Sequence, residues 1–337
     1  VDFTGGLTRL KRLLIIGTGS IGERHTRCFL ATGRAAVGIC EPTDAVRKAV
    51  ADRYDVVGAW SGLEEALQED WDAALVATPA NTHIPIARTL VARGLPVLIE
   101  KPLATTLEGV AELRTEAQDA GVLTAVSYNY RAHPALVAMK AALDSGRFGD
   151  ILQVYGMVGQ EFAKYRPAYA SVYFADPEKG GGAIQDALPH LVNAGEWLAG
   201  PITRVCADAA HRQLPGVTVE DTVHVIARHG EIPANYGLNL YQKPNETAIT
   251  VVCAGGTVRF EVHRQRWRWM TEADTPWHDE PTPLADRDAW YVYNAEAFLD
   301  ALEGTAAPRC TLADGEQTLR AMLAVRESLG SGAWAAV

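Results

Sequence analysis

At 337 residues the chain is longer than a single hydrophobic core usually runs, so two domains are expected. A formal charge of −10 with no compensating basic run excludes nucleic acid or an anionic membrane surface as the main partner, and 48% hydrophobic with 21% charged residues is ordinary for a soluble globular protein. Apolar runs such as LLIIG and AALVA are far too short to cross a bilayer.

The first basic residues stand directly before a strand pattern, without an apolar leader, so a cytoplasmic location is expected. Cys28, Cys40, Cys206, Cys253 and Cys310 are scattered without a CxxC pair, which fits reduced thiols and leaves no metal site to expect.

From the N-terminus, short apolar runs alternate with amphipathic segments. Strands are predicted at 12–17, 35–40, 56–60, 72–79, 96–102 and 123–129, with helices at 23–32, 43–53, 62–68, 82–93 and 106–120. Near-continuous apolar strands separated by helices predict a doubly wound parallel sheet covered on both faces, here a domain of residues 1–128. Beyond it the rhythm changes. A helix at 134–145 leads into a long strand at 150–162, a polar aromatic loop, and a helix after Gly180-Gly181-Gly182. Strand patterns at 202–210, 221–229, 233–241, 247–254 and 257–265 follow without intervening helices, so the second domain, 129–337, is predicted as α/β with an open, mostly antiparallel sheet. Helices at about 285–303 and 312–329 close the chain, and either can pack back on the first domain.

The first strand runs into Gly17-Thr18-Gly19-Ser20-Ile21-Gly22, which reads GxGxxG between a strand and a helix. Gly17 permits the tight turn, Gly19 lets a pyrophosphate approach the backbone, and Gly22 allows close helix–strand packing, while the helix N-terminus offers free N–H groups to the phosphates. Glu41 ends the second strand, where a carboxylate accepts from ribose hydroxyls and repels a 2′-phosphate. With no arginine in the adjacent Pro42-Thr43, NAD is expected over NADP. A solvated loop acid is the plainer alternative for Glu41.

Ligands of a doubly wound sheet lie outside the carboxyl ends of its strands. Thr78, Pro79, Asn81 and His83 follow one such end and Glu100-Lys101-Pro102 the next, which aims Lys101 at the cofactor cleft. Beside a cationic nicotinamide and partly desolvated, its ammonium is expected to have a lowered pKa, suiting a proton shuttle or a fixed charge for a forming alkoxide. A surface lysine is the alternative. In GGGAIQDALPHLVN (180–193), Asp186 and His190 are spaced i, i+4 and share a helix face, unless Pro189 starts or kinks the helix between them. Such a carboxylate orients the imidazole or binds substrate hydroxyls; a solvated or capping pair is the alternative.

GTGSIGERH, ATPANTHIPIA, VLIEKPLA, YNYRAHPA and GGGAIQDALPH stand in the order and approximate spacing of the glucose–fructose oxidoreductase/inositol dehydrogenase (Gfo/Idh/MocA) family, which this chain resembles over nearly its whole length. The resemblance implies an NAD(P)-dependent dehydrogenase of sugars, sugar derivatives or cyclitols, forming dimers or tetramers through the open sheet. It also implies that Lys101, Asp186 and His190 form the catalytic group. Two positions depart from the pattern: Leu188 stands where the family often has glycine, and Asn193 where it often has aspartate, both beside the expected site.

The loop GQEFAKYRPAYASVYF (159–174) resembles the substrate loop of members that handle nucleotide or surface-polysaccharide sugars. Its Arg166, Tyr169 and Tyr173, with Tyr128 and Arg131 at the domain junction, are expected to contact substrate, a lid or interface role being the alternative. RQRWRWM (264–270) reads as strand packing or a subunit contact. A non-catalytic NAD-binding sensor, and an NAD-retaining glycoside-cleaving or epimerising enzyme, are the rival functions.

Overall fold

The structure is a computed structural model that describes residues 9–284, 286 and 288–337. Its first part alternates β1 (Lys11–Ile16), α1 (Ser20–Ala31), β2 (Ala35–Cys40), α2 (Asp44–Arg53), β3 (Gly58–Trp60), α3 (Leu63–Ala66), β4 (Ala73–Val76), α4 (His83–Ala92), β5 (Val97–Glu100), α5 (Val110–Asp119) and β6 (Thr124–Ser127). The six strands are parallel, in the order β3-β2-β1-β4-β5-β6. Every residue of β4 and β5 is buried, as the unbroken apolar runs AALV and VLI require of strands covered on both faces. The order reverses between β1 and β4, which opens a crevice above their carboxyl ends.

The second part comprises α6 (Pro134–Asp144), β7 (Ile151–Glu161), α7 (Phe162–Tyr165), α8 (Ala183–Asp186), α9 (Leu188–Ala199), β8 (Arg204–Ala210), β9 (Thr222–His229), β10 (Ile232–Asn239), β11 (Tyr241–Cys253), β12 (Gly256–Glu261), β13 (Arg266–Met270), β14 (His278–Pro281), α10 (Ala289–Leu302), α11 (Leu312–Ser331) and β15 (Ala335–Ala336). Its nine strands are ordered β14-β13-β12-β11-β7-β10-β9-β8-β15, and only the β7–β10 pairing is parallel. One face carries the core: Val223, Val225 and Ala227 of β9 point into it, whereas the alternate residues His224 and Ile226 are exposed on the other.

Two segments from the end of the chain tie the sheets together. Ala295, Phe298 and Leu299 of α10 belong to the core on one face of the parallel sheet, packed with Phe29 of α1. α11 starts beside β6, where the Val126 N–H donates to Cys310 O at 3.0 Å, and ends beside β8, where the Ala207 N–H donates to Ser328 Oγ at 3.0 Å.

Among the later elements, α10 and β14 depart from the sequence reading, while β13 agrees with reading RQRWRWM as a strand. The helix predicted to start at residue 285 begins at Ala289, residues 285 and 287 lying outside the described residues. RWRWM forms β13, whose alternation buries Trp267 between the partly exposed Arg266 and Arg268, and it pairs with a β14 that sequence periodicity missed. All four β14 residues are exposed, so no hydrophobic pattern marks them.

Candidate active site

The glycine turn is built by sterics. Gly17 has φ +83°, and a Cβ at Gly22 would sit 1.9 Å from Gly17 O, so α1 leaves β1 at a distance no side chain permits. A Cβ on Gly19, by contrast, would meet nothing within 4 Å. Gly19 is also the N-cap of α1, with no side-chain cap, which leaves first-turn N–H groups facing that open space beside the exposed Ser20 and the half-buried Ile21. A dinucleotide pyrophosphate fits such a cradle.

Glu41 is buried at its edge. One carboxylate oxygen accepts from the Thr18 N–H and the other from the Thr43 N–H, both at 2.9 Å. The adjacent Pro42-Thr43 supplies no arginine, but one turn into α2 Arg47 donates to the Glu41 carbonyl at 2.8 Å. On the far side of the crevice, Thr78, Pro79 and Asn81 are at least partly exposed. His83 is not; its Nε2 lies 2.8 Å from Thr78 O and its Nδ1 3.0 Å from Pro102 O. His83 is therefore a strut between the two loops, and its burial lowers its pKa.

Glu100 likewise points into the protein. Its Oε1 is 2.6 Å from His25 Nε2 of α1, and its Oε2 accepts the Lys101 N–H at 3.0 Å. Lys101 emerges at the mouth of β5 and its Nζ donates to Asp186 Oδ1 at 2.9 Å and Asp186 O at 2.8 Å. Burial works against this ammonium, but the Asp186 carboxylate outweighs it and holds Lys101 above the usual lysine pKa. The lowered pKa expected from the sequence is thus corrected, because the pairing partner is a carboxylate 2.9 Å away.

The chain breaks at Ala187: α8 ends at Asp186 and α9 begins at Leu188, with Pro189 in its first turn where a missing N–H costs nothing. Asp186 and His190 consequently sit on two helices, and Asp186 is engaged elsewhere. Besides Lys101 it accepts from Tyr173 Oη at 2.9 Å and faces Arg166 Nη1 at 3.6 Å. Burial opposes its charge, yet Lys101, Arg166 and Tyr173 together hold it well below the usual carboxylate range. His190 instead lies among aromatic rings, stacked on Tyr130 with centroids 5.3 Å apart and edge-on to Tyr128 at 6.1 Å. Burial, and then the Lys101 charge, push its pKa down to about 3, so the imidazole is neutral.

Lys101, Asp186, Arg166 and Tyr173 therefore meet in one polar cluster, with His190 coupled to it by charge. The remaining expected substrate contacts do not join them. Tyr169 is 6% exposed, packs against Phe162 and Phe174, and donates to Pro215 O. Arg131 is 3% exposed, donating to Asn193 Oδ1 at 2.8 Å and Arg309 O at 3.2 Å and pairing with Asp314. Tyr128 is 2% exposed and backs the His190 ring. Nor do the two departures from the family pattern face the cleft. Leu188 is core, and Asn193 links Arg131 to Thr318, to which it donates at 2.9 Å.

Residues that sequence reasoning passed over are Tyr130, Trp290 and His25. Tyr130 lies between the His190 ring and Trp290 of α10, whose centroid is 5.5 Å away. Tyr130 stood inside a motif already singled out; Trp290 comes from the far end of the chain and carried no signal.

Comparison with known proteins agrees with the two-part fold. A family model described as an oxidoreductase family with an NAD-binding Rossmann fold matches residues 11–128, and the GFO/IDH/MocA C-terminal domain model matches 136–259. D-xylose 1-dehydrogenase (NADP(+)) 2 of Haloferax volcanii is 26% identical over 95% of this chain and 97% of its own. Inositol 2-dehydrogenase 1 of Saccharopolyspora erythraea is 30% identical over 75% of this chain and 79% of its own. Among solved structures, levoglucosan dehydrogenase in complex with NADH and levoglucosan has a TM-score of 0.86 at 21% identity, covering 98% of this chain and all of that one, a likeness of fold.

Proposed function

The chain belongs to the Gfo/Idh/MocA family of NAD(P)-dependent oxidoreductases, and from that premise we propose that it interconverts a secondary hydroxyl and a ketone on a sugar, sugar derivative or cyclitol, using NAD(H) in preference to NADP(H). The observation that carries the reading is the Lys101–Asp186 pair, which joins the end of a parallel-sheet strand to a helix of the other sheet beside a neutral His190. The relatives named as xylose and inositol dehydrogenases support the substrate class.

In this reading residues up to 128 hold the cofactor and the rest hold the substrate. The 17–22 turn takes the pyrophosphate, Glu41 the adenosine ribose, and Thr78, Pro79 and Asn81 line the opposite wall. Bound there, the nicotinamide supplies the acceptor or donor for hydride. Lys101, kept protonated by Asp186, stabilises negative charge on the reacting oxygen. His190, neutral in the cleft, accepts the hydroxyl proton during oxidation and returns it during reduction. Asp186 fixes Lys101, and Arg166 and Tyr173, half exposed at the rim, hold the substrate.

The reading extends to a homodimer or homotetramer formed through the open face of the nine-stranded sheet, where Tyr155 and Ile226 are exposed. It also places the enzyme in the cytoplasm, which five free cysteines support. Among the described residues no helix is long and apolar enough to cross a membrane.

The test is to follow NADH absorbance with NAD and a panel of pentoses, hexoses, anhydrosugars and inositols. Net NADH formation with at least one of them supports the proposal. Turnover of a glycoside or epimer without net NADH, or silence across the panel despite NADH binding, overturns it.

A further inference from the structure

The pair His25–Glu100 has no part in the reaction above, yet it is the most deeply buried ionisable contact adjoining the site. His25 is 0% and Glu100 5% exposed, and their nearest atoms are 2.6 Å apart. Burying a carboxylate in a protein interior is unfavourable, and apolar residues of similar volume commonly replace such pairs without loss of stability. What distinguishes this one is where its atoms point. Glu100 divides its two oxygens between the imidazole of α1 and the backbone N–H of Lys101. His25 is held in turn from behind: Tyr291 of α10 lies edge-on to its ring at 6.1 Å, and the Arg24 guanidinium covers the other part of Tyr291 at 4.8 Å from the ring centroid. α1 is the helix whose N-terminus opens on the glycine cradle.

We propose that His25 is a positioning residue for Lys101, acting through Glu100, so that the helix that receives the cofactor also fixes the reacting ammonium. The chain of contacts is short and continuous: α10 braces His25, His25 orients the Glu100 carboxylate, and the carboxylate sets the Lys101 backbone from which Nζ reaches Asp186. With His25 shortened, Glu100 keeps its charge and the Ser127 hydroxyl but loses the imidazole 2.6 Å from its Oε1, so the carboxylate that holds the Lys101 N–H is itself held less firmly. Misplacing a reacting group by about 1 Å costs on the order of 10² in rate. The charged and titratable groups around Lys101 are the Asp186 carboxylate and the Tyr173 phenol from the opposite helix and loop, the Arg166 guanidinium at the rim, the neutral His190, the Tyr130 phenol and Glu100 from its own strand, so removing the Glu100 charge alone also weakens the field that keeps Lys101 protonated.

The inference rests on Lys101 being the reacting ammonium, and the experiment separates the two. His25→Ala, His25→Gln, Glu100→Gln and Lys101→Ala are compared in the whole enzyme for kcat, KM, pH profile, NADH affinity and thermal unfolding. His25→Ala is expected to lose roughly 10–100-fold in kcat with KM little changed. His25→Gln, whose amide can still donate to Glu100, is expected to recover most of that loss, and Glu100→Gln is expected to move the basic limb of the profile to lower pH. If His25→Ala or Glu100→Gln fails to fold, shown by lost NADH binding, His25→Gln and the remaining variant carry the comparison. Wild-type kcat and an unmoved profile in the His25 and Glu100 variants, with Lys101→Ala inactive, overturns the positioning role alone. Near-normal kcat in Lys101→Ala overturns the reading beneath it.

Discussion

The Lys101 ammonium crosses from the carboxyl end of β5 to both the carboxylate and the main-chain carbonyl of Asp186, at 2.9 and 2.8 Å. A single side chain thus reads the position of the opposite helix twice, once through a charge and once through the backbone. Replacing Lys101 by alanine removes the positive charge at the reacting oxygen, and turnover is expected to fall by roughly 10²–10⁴-fold. NADH affinity should change little, since the glycine cradle and Glu41 are untouched. Steady-state kcat with a fluorescence titration of NADH checks both; near-normal turnover removes Lys101 from the chemistry.

The same cluster fixes the pH dependence. His190, pushed down to about 3 by burial and by Lys101, is already neutral over the working range. The kcat/KM profile is therefore expected to be flat from about pH 5 to about pH 8, without the limb near 6.5 that an ordinary histidine gives. The basic limb belongs to Lys101, which Asp186 holds up. Asp186→Asn removes that support, so Lys101 deprotonates more easily and the basic limb moves to lower pH. A wild-type limb between about pH 6 and 7 that disappears in His190→Gln contradicts this picture.

Much of this arrangement was legible in the chain. The parallel sheet declared itself through unbroken apolar strands, and Gly17, Gly22 and Lys101 fell where strand ends put them, because local sterics and strand direction are properties of short segments. What periodicity did not carry was the direction of side chains at the join of the two sheets. Arg131 and Tyr169 looked like substrate contacts because charged and aromatic residues near a cleft commonly are. The structure spends them on Asn193, Asp314 and Pro215 instead, partners far away in sequence. Asp186 and His190 shared a predicted helix face, yet the break at Ala187 turns the carboxylate toward Lys101 and the imidazole toward Tyr130.

Cofactor choice follows from Glu41. Its two oxygens hold the Thr18 and Thr43 N–H groups, and in the proposed binding mode they face the ribose diol. In Glu41→Ala the charge that repels a 2′-phosphate is gone while Arg47 remains at the same corner. A hydrogen bond to a charged group contributes about 1.5–3 kcal/mol, so NAD affinity is expected to fall about 10–100-fold and the preference over NADP to shrink or invert. Measuring kcat/KM for both cofactors decides it; an unchanged ratio places the ribose elsewhere.

Away from the cleft, Glu196 of α9 offers a test of the join between the two parts. It is buried beneath α11, accepting from Thr318 Oγ1 at 2.6 Å and Gln317 Nε2 at 3.1 Å. Burial raises its pKa from 4.5 to about 7 despite these donors, the Ile202 N–H and nearby Arg131. Because the folded value lies above the unfolded one, the native chain keeps a proton that the unfolded chain releases as pH rises from about 4.5 to about 7. Stability from this residue is accordingly lost across that window and level above it. Glu196→Gln keeps the acceptor without the charge, so it should be about 2–3 kcal/mol more stable than the parent near pH 8 and nearly equal to it near pH 5. Urea unfolding of both proteins at the two pH values measures the difference. An equal offset at both would mean that Glu196 is ionised in the fold throughout, and that Arg131 and the Thr318 hydroxyl compensate its burial.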